Sequence, residues 1–213
     1  MTMIHKHQDP KDLRDRFALG LVKFLRILAD AFFKKRYGHR AVVLETVAAV
    51  PGMVGAALLH FRCLRKIRDD QGWIEKLLAE ANNERMHLMI FIEIAKPTWL
   101  ERMAIVITQF LFVMAYFILY VFSSKTAHRF VGYLEEEAII SYTEYLEQVD
   151  QNPKKENIPA TPLAIKYWNL SKNARLRELI IAVREDEILH RDTNHLIADK
   201  FSRHEDLLAP RSW

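Results

Sequence analysis

Asn83-Glu84-Arg85-Met86-His87-Leu88 recurs in outline later in the chain as Arg184-Glu185-Asp186-Glu187-Ile188-Leu189-His190. Each stretch sets a carboxylate and an imidazole three positions apart. On a helix that spacing stacks both side chains on one face, about one turn apart. A separate glutamate precedes each pair, Glu45 before the first and Glu135 before the second. Four-helix di-metal proteins draw one Glu from each of two helices and a Glu-x-x-His from each of the other two. The chain order therefore predicts an all-α four-helix bundle. Glu45, Glu84, His87, Glu135, Glu187 and His190 are its expected metal ligands. One Glu-x-x-His is commonplace, a surface charge beside an ordinary histidine; the doubled pattern carries the reading.

The neighbouring residues agree with it. Glu135 shares a helical face with Val131, Ala138, Ile139, Tyr142, Leu146 and Val149. Glu136 falls with Gly132, Ile140, Thr143 and Glu147, and Glu137 with Tyr133, Ser141 and Glu144. Only Glu135 of the three is expected on the apolar stripe. A buried carboxylate without a partner is costly and tends to protonate. Four in one core call for cations, and two divalent irons carry enough charge to balance them. Nitrogen and oxygen donors without thiolates suit iron or manganese, and the expected cofactor is a pair of iron ions. Tyr142 lies two turns beyond Glu135 on the same face. It is either a packed core tyrosine or a source of an electron and a proton.

The chain has 213 residues, half of them hydrophobic, with only 6 Gly and 7 Pro. That composition favours one helical domain over residues 1–213, with 1–10 as a flexible tail. The single cysteine, Cys63, excludes a disulfide framework and Cys-based clusters. The net charge of +4 is unevenly spread, with nine basic and three acidic residues between Lys11 and Arg40. Apolar positions at Phe17, Leu21, Phe24, Leu25 and Leu28 make that segment a membrane-surface helix, against the alternative of a solvated bundle face. No nucleic-acid reading motif accompanies the charge, so nucleic acid is not an expected partner.

Six main helices are expected: Lys11–Phe33, Arg40–Arg68 with a kink at Pro51-Gly52, one from Trp73 that ends before Pro97, Met103–Ser124, Thr126–Asp150, and Asn173–Phe201. A short one around Ala164–Leu170 follows a polar loop, Gln151–Thr161. Met103–Ser124 is 22 residues without a charge, long enough to span a bilayer. A single crossing would part Glu84 and His87 from Glu135, so the segment is expected to lie in one leaflet beside the first helix. One mismatch stands out. Glu45 lies about 22 residues from the end of its helix and Glu84 only 11 from Trp73, roughly 15 Å of misalignment in a straight hairpin. The kink or a steep crossing is expected to absorb it. The opening Met1-Thr2-Met3-Ile4-His5 has no apolar signal core and no Arg/Ser-rich transit character. That favours the cytoplasmic side of a bacterial inner membrane, or the mitochondrial inner membrane for a trimmed chain.

Leu44-Glu45-Thr46, Asn83-Glu84-Arg85-Met86-His87-Leu88, Leu134-Glu135-Glu136-Glu137-Ala138 and Arg184-Glu185-Asp186-Glu187-x-x-His190 together resemble the four signature motifs of the alternative oxidases, over about Asp15–Phe201. The resemblance implies a ferritin-like di-iron four-helix bundle with two additional membrane-surface helices, monotopic in one leaflet and a homodimer. It implies a cyanide-insensitive ubiquinol oxidase that oxidises two quinols and reduces one O2 to two waters without pumping protons. It places the six Glu and His residues at iron-ligand positions and Tyr142 at a redox tyrosine. Asn83, Asp186 and Trp168 match a hydrogen-bond network behind the ligands. Arg40, Leu44, Glu137, Ala138 and Ser141 match a quinol pocket, and His60 a dimer contact. Ser141 stands where many relatives carry Thr. Cys63 lies mid-helix, so thiol control through an N-terminal cysteine is not expected. The chief rival is a membrane-associated di-iron hydroxylase acting on a quinone-like substrate. A ferritin-type iron store and a metal-free membrane scaffold come after it.

Overall fold

The computed structural model describes residues 7–33 and 36–210. Its helices in chain order are α1 (Leu13–Phe33), α2 (Tyr37–Lys66), α3 (Trp73–Ala95), α4 (Trp99–Phe122), α5 (Ser124–Gln151), α6 (Pro153–Glu156), α7 (Pro162–Tyr167) and α8 (Leu176–Ser202). Two-residue strands β1 (Arg68–Asp69) and β2 (Ala209–Pro210) pair antiparallel. The boundaries follow local chemistry. Thr98 accepts from the Glu101 backbone N–H while Glu101 returns to the Thr98 N–H, a reciprocal cap that starts α4 after Pro97. Ser123 ends α4 and caps α5, and Thr161 caps α7 ahead of Pro162. The expected loop 151–161 holds one extra turn, α6.

Two antiparallel pairs, α2–α3 and α5–α8, form the four-helix bundle, with α1 laid on α5 and α4 on α2 and α5. At Gly52 α2 and α3 approach too closely for a side chain, which would run into the Leu77 carbonyl and Ala81. α2 passes through Pro51 without interruption. The hairpin mismatch has its own answer. Gly52 meets Leu77 and Ala81, and Gly55 meets Leu77, so Trp73 falls near position 59 of α2 and the last turns of α2 overrun α3. That overrun is about 10 Å. The extended residues of β1 and the Gln71-Gly72 turn walk back over it. A separate apolar cluster of Leu59, Leu77, Ile197, Leu207 and Leu208 buries it.

The outer faces are apolar. α1 exposes Leu13, Phe17, Phe24, Ile27, Leu28 and Phe32; α4 exposes most of its length, from Trp99 and Leu100 to Val121 and Phe122. α2 and α4 are both long and apolar enough to cross a membrane, but 56% of α2's apolar window is buried against 11% of α4's. α2 is a core helix; α4 is covered by the bundle on one side only. Of the ten residues expected as a tail, 1–6 lie outside the described residues. His7 and Gln8 hydrogen-bond to Glu136 on α5.

Candidate metal centre

Each bundle helix contributes to one buried cluster. Glu45 comes from α2, Glu84 and His87 from α3, Glu135 from α5, and Glu187 and His190 from α8. One ligand-type atom from each of Glu45, Glu84, His87 and Glu187 lies within 4.8 Å of the others. His87 Nδ1 faces Glu187 at 3.3 Å and Glu45 and Glu84 at 3.4 Å. His190 joins through its Nδ1, 2.5 Å from Glu84 and 3.4 Å from Glu187. Glu135 is buried in the same field, under the charges of Glu187, Glu84 and His190.

The cluster's own hydrogen bonds do not satisfy it. Glu45 Oε2, both Glu84 oxygens, Glu187 Oε2, His87 Nδ1 and His190 Nδ1 are buried without a hydrogen-bonded partner, although they lie close together. Atoms that meet at short range outside hydrogen-bond geometry suit a shared cation. Charge points the same way. Burial, then the neighbouring carboxylates, push Glu45 and Glu135 well above the usual carboxylate range. Burial opposes ionisation of Glu84 too, yet His190 and His87 hold it low. Burial works to lower His87 and His190, and the surrounding carboxylates raise both. A pair of divalent cations removes this repulsion, so the donor set fits the two irons.

Behind His87, Asp186 Oδ2 accepts from Asn83 Nδ2 (2.8 Å) and Trp168 Nε1 (2.9 Å) and lies 3.2 Å from His87 Nε2. That bond turns Nδ1 toward the cluster. Tyr167, absent from the sequence reading, accepts from Asn83 at 2.9 Å. The Tyr142 hydroxyl donates to Glu45 Oε1, and its ring stacks on Phe91 with centroids 5.6 Å apart.

A cavity of about 630 Å³ runs from the α1 and α4 side to the cluster. Arg40, Leu44, Glu137, Ala138 and Ser141 all line it, and so do Tyr142, Glu45, Glu135 and Glu187. Arg40 is buried; its Nη1 donates to Asp30 at 2.5 Å, and its Nε has no partner. Glu137 is more committed than expected, receiving Arg26 Nη1 at 3.0 Å on one oxygen with His7 Nε2 2.9 Å from the other. His60 is exposed on α2 beside exposed Phe61.

Glu136, read as off the apolar stripe, is nonetheless buried: it pairs with His7 at 2.7 Å and His195 at 2.9 Å. Those hydrogen bonds pull its carboxyl down to about 2 against the effect of burial. Sequence reasoning also missed Glu80, Asn194 and His128. Glu80 and Asn194 lie one turn from Glu84 and His190, a spacing that places them on the ligand face.

Fold and cluster together define a helical-bundle protein with a carboxylate-rich di-metal centre. Residues 2–199 match the family model described as alternative oxidase. The chain is 53% identical over 196 residues to "Alternative oxidase 3, mitochondrial" of Glycine max, an alignment that covers 92% of this chain and 60% of that protein. It is 56% identical over 194 residues to "Ubiquinol oxidase 2, mitochondrial" of Glycine max, covering 91% and 58%. It is 52% identical over 208 residues to "Ubiquinol oxidase 1c, mitochondrial" of Arabidopsis thaliana, covering 97% and 63%. The chain thus spans about three fifths of the length of these relatives. It belongs to the alternative oxidase family, whose members are di-iron proteins.

Proposed function

We propose that this chain oxidises two ubiquinols and reduces one O2 to two waters, without proton pumping. One observation carries the reading: a largely apolar cavity, sized for a quinol ring, ends on Tyr142 and three of the six clustered Glu and His residues. In this reading Glu45, Glu84, His87, Glu135, Glu187 and His190 hold two irons. When bound, the irons supply the redox chemistry that accepts quinol electrons and delivers them to O2. The protein residues do the rest. Arg40, anchored by Asp30, presents its unpartnered Nε as a donor for a quinol oxygen. Leu44, Ala138 and Ser141 shape the ring site, and Glu137, held by Arg26 and His7, forms its wall. Tyr142, tied to Glu45, holds a proton between cavity and cluster. Burial, with Glu45 and Glu187, raises its hydroxyl well above the ordinary tyrosine range. It is therefore a phenol, not a phenolate, at neutral pH. Asp186, Asn83 and Trp168 keep His87 oriented. The stoichiometry closes, since two quinols yield the four protons and four electrons that one O2 needs to become two waters.

The exposed apolar faces of α1 and α4 border the cavity mouth, which supports a monotopic seat on one leaflet where a lipid-soluble quinol enters sideways. The membrane is a bacterial or a mitochondrial inner membrane, and the relatives' mitochondrial names favour the second. A homodimer forms through the α2 surface that carries His60. The single domain extends over 1–213.

Oxygen uptake by the membrane-bound, iron-loaded protein, supplied with a short-tailed ubiquinol in the presence of cyanide, tests the activity. One O2 consumed per two quinols with no peroxide is expected. Oxygen appearing in an organic product instead identifies the hydroxylase.

A further inference from the structure

A buried hydrogen-bonded array on the far side of the cluster from Tyr142 has no part in the reading above. Asn194 on α8 stands at its centre with all its hydrogen-bonding groups in use. Its Oδ1 meets His128 Nδ1 at 2.9 Å. One Nδ2 hydrogen goes to Glu80 Oε1 at 2.8 Å and the other to the His190 carbonyl at 3.0 Å. His128 is fully enclosed, and burial pushes its imidazole down to about 4, so it is neutral at ordinary pH. A neutral ring that donates from Nδ1 accepts at Nε2, where the Tyr120 hydroxyl lies 3.4 Å away. Every donor and acceptor direction is thereby set, from Tyr120 through His128 and Asn194 to Glu80 and the backbone of His190. The amide cannot turn over without breaking three bonds in an interior where unpaired polar groups are costly.

This arrangement answers an asymmetry between the two halves of the centre. The His87 ring is held directly, its Nε2 beside an Asp186 oxygen that also collects Asn83 and Trp168. His190 has no such bond to its ring among the described residues; its Nδ1 contacts only Glu84 and Glu187. What holds it is its own helical turn, and Asn194 ties that turn to α3 through Glu80 and to α5 through His128. We infer that Asn194, oriented by His128 and tied to Glu80, is the positioning residue for the His190 half of the metal centre. This rests on the di-iron reading. Outer partners of metal ligands are commonly worth ten- to a hundredfold in metal affinity.

Iron titration and the Mössbauer spectrum of the iron-loaded full chain test it without recourse to turnover. Asn194→Ala should weaken one of the two irons by about ten- to a hundredfold and alter that iron's spectral component alone. Asp186→Asn should alter the other component. His128→Phe, which fills the same apolar space and leaves Asn194 in place, should act in the same direction as Asn194→Ala and covers the case in which the latter does not fold. An unchanged spectrum and affinity in both variants, with only a lowered melting temperature, overturns the inference and leaves the array as core structure. A wild-type chain that binds no iron pair overturns the di-iron reading itself, and this inference with it.

Discussion

Tyr142 and Glu187 both line the cavity and both face the cluster, yet they are separable by experiment. Glu187 is one of the proposed ligands, so Glu187→Ala should lose iron and oxygen uptake together. Iron analysis beside an activity assay reads both. Tyr142→Phe removes only the hydroxyl that donates to Glu45. It should keep its iron while turnover falls by about a hundredfold or more, the scale of a lost proton-transfer group. Normal turnover in that variant reduces Tyr142 to packing against Phe91. The six proposed ligands were legible in the sequence because helical spacing is local: residues three apart share a face wherever the helix goes. The burial of Glu136 was not legible, for the complementary reason. Its burial comes from His195 on α8 and His7 ahead of α1, partners that a helical wheel of α5 does not contain.

At the level of elements, the α2–α3 pair depends on one position without a side chain. Gly52 sits against the Leu77 carbonyl, with Ala81 Cβ 3.0 Å and Ala81 N 3.1 Å from where a Cβ would be. Backbone cannot yield as a flexible side chain can, so Gly52→Val should destabilise the fold by about 1–3 kcal/mol through overpacking. Thermal unfolding of the metal-free chain reads this directly, and an unchanged melting temperature means the pair has slack. The sequence reading marked Pro51-Gly52 as a kink because proline breaks the hydrogen-bond ladder. Gly52 has a packing role there as well, and the overrun with its extended return accounts for the hairpin mismatch. Chain length alone cannot tell a bend from an overrun, since both consume the same residues.

Across the whole molecule, α1 and α4 each turn a row of apolar side chains outward. Ile107, Leu111 and Ile118 are each at least half exposed on α4. Replacing all three with glutamate should move the protein from vesicles to the soluble fraction in a flotation assay, with iron content unchanged. Retention on the vesicles places the membrane contact elsewhere. The expectation that Met103–Ser124 lies in one leaflet belongs to this scale too, since it depends on α3 and α5 meeting at one cluster. Periodicity and the doubled Glu-x-x-His pattern were enough for the helical class, the proposed ligand set and the amphipathic faces, all of which depend on residues within a few turns of one another. Tertiary structure alone decided which distant polar groups meet. Arg40 finds Asp30 across a helix boundary, Asn83 and Trp168 converge on Asp186, and Asn194 reaches Glu80 from 114 positions away. Such bonds exist only once the helices have packed, because the free energy that orders them comes from excluding water around the whole core.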